Sequence, residues 1–347
     1  MASTAAGTQP SGTPVESRFG TLIVPSTRAT GLRRLLGRSG VRKDRAPIPL
    51  AIFAWIVALI VFFPIFQFVI TGFKTEQEAV AIPPRLLPWP GYEETQVLPE
   101  TINIEGSDAA AVAEDVDAGL DFRFAPTLEQ YRTVFSLNFG SFFLNSLMTT
   151  LISTAVVLIL GIPAAYALSI LAGKRSSNTL FFLISTRFLP TAGVLVPLLL
   201  IYRQLELLNT IPGLIILYIA MNLPIAIWVM RSFFEEIPRD IIDAARLDGA
   251  SLLREIFQIA LPVVRPGIVA TAFICMIFAW NEFFLAAFLA AVGSSTVPIF
   301  MLQYVTGEGL FWAKLSAAVT IGVLPIVLLG WIAQGQLVRG LSLGAVK

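Results

Sequence analysis

Gly213-Leu-Ile-Ile-Leu-Tyr-Ile-Ala-Met-Asn-Leu-Pro-Ile-Ala-Ile-Trp-Val-Met230 runs without a single charge, and Arg231 then opens a polar stretch that turns apolar again only near residue 266. A helix rises about 1.5 Å per residue, so this run covers about 27 Å. The hydrocarbon core of a bilayer is about 30 Å thick. The same test finds apolar runs at roughly 49–73, 139–171, 179–202, 266–291 and 315–337. The expected fold is therefore an all-α integral membrane protein with six transmembrane helices. Composition agrees: of 347 residues, 14% are charged and 56% hydrophobic, against about 25% charged in soluble domains. Pro64, Pro163, Pro190, Pro197, Pro224 and Pro325 fall within these runs. Broken helices are tolerated at membrane depth where neighbours or a water-lined cavity satisfy the freed backbone, so they point toward a pathway.

Charge placement sets the orientation. With the N-terminus inside, residues 1–48, the 172–178 loop, the 231–265 loop and the tail carry seventeen of the 24 Lys/Arg. Six lie outside, and Arg187 falls within a span. The positive-inside rule then gives N-in, C-in topology. Arg33 to Arg45 lie next to the first span, placed to meet anionic inner-leaflet lipid. The domain plan is a basic, partly disordered cytoplasmic segment at 1–48, a first span at 49–73, an external loop at 74–138, a membrane core at 139–337 and a tail at 338–347. Residues 1–48 lack an early apolar core and are not read as a cleaved signal. The external loop is acidic, with Asp108, Glu114, Asp115, Asp117 and Asp121 clustered. It is a solvated surface or a docking surface for an extracytoplasmic partner.

Several function classes drop out. The chain has no His, which removes the usual general base and His-ligated metals; no metal site is expected. The single Cys, Cys275, lies in an apolar run and reads as a small inert hydrophobe. Net charge is +1, so no global field favours nucleic acid. Gly173-Lys174 is followed by Arg175, and Leu168 stands where a P-loop needs its first Gly, so the chain is not expected to bind ATP itself.

The 231–265 loop is the informative one. Pro238 and Asp240 suit a helix start. Ile241, Ala245, Leu252 and Ile256 are expected on one helical face. Gly249 permits a sharp turn between two short helices. Such an amphipathic helix, presented beyond the membrane edge, suits a partner's groove. Asp243-Ala244-Ala245, then Gly249, Ile259 and Leu261-Pro262, have the spacing of the loop that in ABC importer permeases reads Glu-Ala-Ala, three residues, Gly, nine residues, Ile, one residue, Leu-Pro. Asp243 replaces the Glu, keeping the charge and shortening its reach.

The chain therefore resembles the permease subunits of ABC importers, from about Thr127 to Lys347 and more loosely over the first span. It is most similar to the carbohydrate-uptake group, the second permease of maltose-type importers. Trp280-Asn281-Glu282-Phe283, Asn222-Leu223-Pro224 and the tail Gly340-Leu341-Ser342-Leu343-Gly344-Ala345-Val346-Lys347 carry that likeness. Ser185-Thr186-Arg187-Phe188-Leu189-Pro190 looks most like the polyol branch, the mannitol and sorbitol importers. The resemblance implies a homologous second permease, two ATP-binding cassette subunits carrying ATP and Mg, an extracytoplasmic solute-binding protein, and a place in the bacterial cytoplasmic membrane. It implies no cofactor on this chain and no enzymatic activity of its own. Asp243, Ala244, Ala245, Gly249, Ile259, Leu261 and Pro262 would couple the ATPase to alternating access. Gly340, Leu341, Ser342 and Gly344 would reach the ATPase dimer.

Arg187 and Glu282 are the charges within spans, and intramembrane ionisable groups are costly enough to suggest function. With Trp280, Asn281 and Asn222 they form the candidate solute pathway; the competing reading is structural, as glue or as partners for Pro-broken backbone. A direct Arg187–Glu282 pair needs a broken helix, which Pro190 can supply. Rival functions are an ion-coupled secondary carrier and an ABC permease for a non-carbohydrate solute.

Overall fold

A computed structural model describes residues 48–81, 84–89, 123–172, 176–290, 293–306 and 309–344. The acidic cluster at 108–121, the Gly173–Arg175 run, most of the basic N-terminal segment and Ala345–Lys347 lie outside the described residues. The chain divides into two units, 1–57 and 58–347. Of the first, Ile48 to Val57 are described and helical. All elements after α1 belong to the second.

The helices in chain order are α1 (Ile48–Thr71), α2 (Glu76–Ala79), α3 (Glu129–Ser136), α4 (Phe139–Leu171), α5 (Ser176–Phe188), α6 (Thr191–Gln204) and α7 (Ile211–Glu235). Then come α8 (Arg239–Leu247), α9 (Leu252–Val263), α10 (Arg265–Trp280), α11 (Phe284–Leu289), α12 (Val297–Met301) and α13 (Trp312–Gly344). Two-residue strands pair Leu87–Pro88 parallel with Arg123–Phe124, and Val305–Thr306 antiparallel with Gly309–Leu310.

Four helices (α1, α4, α7 and α13) are each long and apolar enough to cross a bilayer, and the number is six if each bent pair counts as one span. The expected third span is not continuous: α5 and α6 meet at 91°. Pro190 is the cause, since its ring disfavours helical geometry at Leu189 and its missing N–H ends the ladder. The expected fifth span, 266–291, ends as a helix at Trp280 and resumes only for Phe284–Leu289.

α4 packs along α7, α10 lies against both, and α13 packs on α10. The inward face of α4 is built from small and polar residues at four-residue spacing: Asn145, Thr149, Ser153, Val157, Gly161 and Ala165, all buried. Large side chains such as Leu144, Met148, Ile152, Ile159 and Leu160 face outward. This pattern is opposite to a soluble helix. Lipid is as apolar as leucine, so association rests on close packing and buried polar contacts instead of water exclusion. Asn145 Nδ2 donates to the carbonyls of Gly293 (3.0 Å) and Ser295 (3.0 Å), and Val297 N–H donates to Ser146 Oγ (2.8 Å). These bonds pin the turn before α12 onto α4. On the same side Glu76 accepts the N–H groups of Ala313 and Lys314, 3.0 Å each, and so caps α13.

Candidate functional site

The stretch between α7 and α10 folds as two short helices joined at Gly249. The chain leaves α7 at Glu235, and Pro238 directly precedes α8. Ile242, with no exposed surface, and Ala245 face inward, three residues apart and thus on one face. Ile241, expected on one face with Ala245, is exposed; its neighbour Ile242 takes the core position. Leu252 is exposed too, because α8 ends at Leu247 and α9 starts a new helical phase after the turn. Only Ala245 and Ile256 of the four expected residues are buried. Gly249 has φ +77°, the left-handed region that favours Gly. Asp243 and Ala244 are exposed, Ile259 and Leu261 are half-buried, and Pro262 is exposed. The outward side of α8 carries Ile241 and Leu247, the latter 89% exposed.

Charged side chains hold this loop to the spans. Arg246 grips the Glu255 carboxylate with two bonds, Nε to Oε2 at 2.9 Å and Nη2 to Oε1 at 2.8 Å. Glu255 is 2% exposed, and the Tyr166 hydroxyl near the end of α4 also donates to it. Arg239 donates to the carbonyls of Ile170 and Ser169, 3.2 Å each. Those carbonyls lie in a π-helical turn, Ala167–Leu171, that closes α4, and a second π turn, Glu255–Ala260, lies within α9. The Arg246 guanidinium holds the Glu255 carboxyl below its usual range, and burial opposes that shift. The same contact, made with carboxylate, raises Arg246. Around these groups Ile170, Met230, Phe234, Ile237, Ile242, Ile256, Ala260 and Val264 form one apolar core. At the loop's base Gly267 lies flat under the Phe233 ring: a Cβ there would stand 2.4 Å from the ring's Cγ.

Tyr166, Arg239, Arg246 and Glu255 are not among the site residues expected from the sequence. Arg246 and Glu255 carry a weak signal, opposite charges on either side of the Gly249 turn. Tyr166 carries none, because it lies 89 residues from its partner.

The candidate solute residues are dispersed. Trp280 Nε1 donates to the Gly322 carbonyl (3.1 Å), tying α10 to α13. Asn281 Nδ2 donates to the Ile277 carbonyl of its own helix (2.8 Å) and is exposed. These two residues line a pocket of about 310 Å³ with Val297, Pro298 and Met301. Glu282 uses both oxygens to cap α11, accepting from Leu285 N–H and Ala286 N–H at 2.9 Å each. Arg187, at the break between α5 and α6, lines a different pocket of about 200 Å³. It donates to the Met221 carbonyl (2.9 Å) and stacks over the Phe278 ring, 5.1 Å from its centroid. Arg187 and Glu282 thus each have other partners. Asn222 is buried in α7, and its Oδ1 has no partner among the described residues. Gly340, Leu341, Ser342 and Gly344 continue the backbone of α13. Among the described residues no group of three or more His, Cys, Asp or Glu is placed to hold a metal.

Residues 157–342 match a family model described as "Binding-protein-dependent transport system inner membrane component". A probable ABC transporter permease protein, y4oR, of Sinorhizobium fredii is 32% identical over 297 residues, 85% of this chain and 94% of that protein. The sulfoquinovosyl glycerol transport system permease protein SmoH of Agrobacterium fabrum is 37% identical over 229 residues, 65% of this chain and 80% of that one. The trehalose transport system permease protein SugB of Mycobacterium tuberculosis is 36% identical over 228 residues, covering 64% and 82%. The fold is similar to a chain in the crystal structure of a bacterial ABC transporter involved in the import of the acidic polysaccharide alginate, with TM-score 0.60 and 19% identity over 90% of this chain and 99% of that one. With its match running from within α4 through the α8–α9 loop and most of α13, this chain belongs to the inner membrane component family of binding-protein-dependent, ABC-type transport systems.

Proposed function

We propose that this chain is the permease subunit of an ATP-driven importer for a sugar or polyol. It crosses the inner membrane six times, N-in and C-in, with each bent helix pair serving one crossing or a crossing plus its loop. Residues 1–48 and 338–347 are cytoplasmic, 74–138 external, and 139–337 the transport core. A homologous second permease completes the pathway, two ATP-binding subunits lie below, and a solute-binding protein delivers from outside. ATP and Mg belong to those ATP-binding subunits, and this chain needs no cofactor.

One observation carries the reading. α8 packs on the core through Ile242 and Ala245, leaves Ile241, Asp243, Ala244 and Leu247 exposed, and is tied to its neighbours by Arg239 and Arg246. A helix offered for docking and also braced is suited to receive motion from a partner and pass it on. Asp243, Ala244, Ala245, Gly249, Ile259, Leu261 and Pro262 form or support that contact, and Gly340 to Gly344 carry α13 toward the same partners. The relatives named for sulfoquinovosyl glycerol and trehalose transport support a saccharide-like solute; the Ser185–Pro190 run supports the polyol branch. Asn281, Trp280, Asn222, Arg187 and Glu282 stay the candidate pathway residues, with Asn281 the most available to solute.

The test is uptake into vesicles holding the whole complex, with a panel of radiolabelled disaccharides and polyols. Uptake that needs ATP and the ATP-binding subunits is expected, and the purified chain alone should hydrolyse no ATP above background. Accumulation by the chain alone on an ion gradient would replace this reading with the secondary-carrier one.

A further inference from the structure

We propose that Tyr166, Glu255 and Arg246 are positioning residues that make the docking helix α8 a rigid extension of α4, so that motion imposed on α8 passes to the span the loop is not covalently joined to. This rests on the permease reading and adds the route.

The covalent routes out of α8 are compliant. Toward α7 the chain passes through Glu236–Pro238, outside any helix. Toward α10 it passes the Gly249 turn, a π turn and an 84° bend between α9 and α10. π turns stand where the regular ladder is interrupted, frequently at functional sites. Against these, the side-chain route is short and stiff. Glu255 takes two bonds from Arg246 on α8 and one from Tyr166 on α4. Planar guanidinium and carboxylate fix each other's orientation when they meet through two parallel bonds. The Tyr166 ring is held edge-on against Phe234 of α7, centroids 5.4 Å apart. Arg239 adds a second tie to the end of α4 at Ser169 and Ile170. The two π turns thus begin at the joined residues: Tyr166 immediately precedes one, and Glu255 opens the other. α4 in turn holds the turn before α12 at its far end through Asn145 and Ser146. A push on α8 can therefore reach the opposite side of the bundle along one helix.

Hydrogen–deuterium exchange on the complete importer, with and without ATP and vanadate, tests this without a known solute. In the unaltered complex nucleotide trapping should change exchange both in 239–263 and in the far half of α4, residues 139–152. Tyr166→Phe removes one oxygen and keeps the ring packing, and Glu255→Gln keeps the shape. In both, the change in 239–263 should remain and the change in 139–152 should be lost. Tyr166→Cys with Arg246→Cys, bridged by a bifunctional thiol reagent, joins α4 to α8 directly, since both side chains meet at Glu255 Oε1, and should restore it; Cys275 is buried and does not compete. A response of 139–152 that persists in Tyr166→Phe and Glu255→Gln overturns the proposal. So does a Tyr166→Phe complex that fails to assemble, or a bridge that restores nothing, since either makes the group structural only. If the unaltered complex shows no nucleotide-dependent change in 239–263, the permease reading itself fails.

Discussion

Gly267→Ala is the sharpest perturbation the structure offers. Gly267 lies in the first turn of α10 and Phe233 in the last turn of α7, so their contact sets how closely the two legs of the α8–α9 loop approach. An added Cβ would lie 2.4, 2.5 and 2.8 Å from Phe233 Cγ, Cδ2 and Cδ1. All three are far inside contact distance, so the ring must turn or the legs must part. Overpacking of this kind costs about 1–3 kcal/mol, and the half-buried ring of Phe233 favours the lower end. Ala also raises helix propensity by up to about 1 kcal/mol, which offsets part of the cost only if the ring moves freely. At about 2–4 °C per kcal/mol for larger domains, a cost at that lower end should lower the thermal midpoint by about 2–4 °C. The assay is thermal unfolding of the purified complex by size-exclusion fluorescence. Phe233→Leu in the Gly267→Ala background should recover most of the loss, since the two residues touch and their effects are not additive. An unchanged midpoint in Gly267→Ala, or a double variant no better than the single one, would refute the close-approach argument.

Gly249→Asp should abolish uptake with normal membrane levels: φ is +77°, which strains any replacement side chain, and with nothing within 4 Å of a Cβ among the described residues the added carboxylate projects into open space; immunoblots of membranes beside uptake separate loss of transport from loss of the protein. Glu255 has its carboxyl held low mainly by Arg246, so the tie is intact above the ordinary glutamate range and is lost as pH falls through the lowered value. Arg246→Met should lose that protection at a higher pH, read as an upward shift of the acid limb in a thermal-midpoint profile over roughly pH 3 to 7, and should cost about 1–3 kcal/mol through the buried oxygens left underbonded. Glu282→Ala should lower complex yield by uncapping α11, whereas Glu282→Gln, keeping one acceptor oxygen, should retain most of it. Asn281→Ala should keep yield and weaken apparent solute affinity several-fold, as loss of a bond worth about 0.5–1.5 kcal/mol implies; unchanged affinity would remove Asn281 from the pathway.

Local properties of this chain are legible without any folding. A span is a length of chain without charge, so α1, α4, α7 and α13 can be read from runs of residues alone. The spacing of Asp243, Ala244, Ala245, Gly249 and Leu261-Pro262 can be read directly, because these residues lie within one short stretch. The break at Pro190 is likewise a covalent property of the proline ring. What tertiary structure decided is which polar groups meet. Ile242 and not Ile241 faces the core, because α8 is a separate helix whose phase is set by what it packs on. Glu282 reads in the sequence as a solute ligand or a structural partner, and the fold adds that it caps α11, a role that exists only because the fifth apolar run stops at Trp280 and begins again. Tyr166 and Glu255 meet across 89 residues, and no periodicity records a contact between side chains on different helices. The inward stripe of α4, from Asn145 to Ala165, lies between: its spacing is in the sequence, but in lipid small residues mark the packed face, and only the neighbouring helices show which face that is.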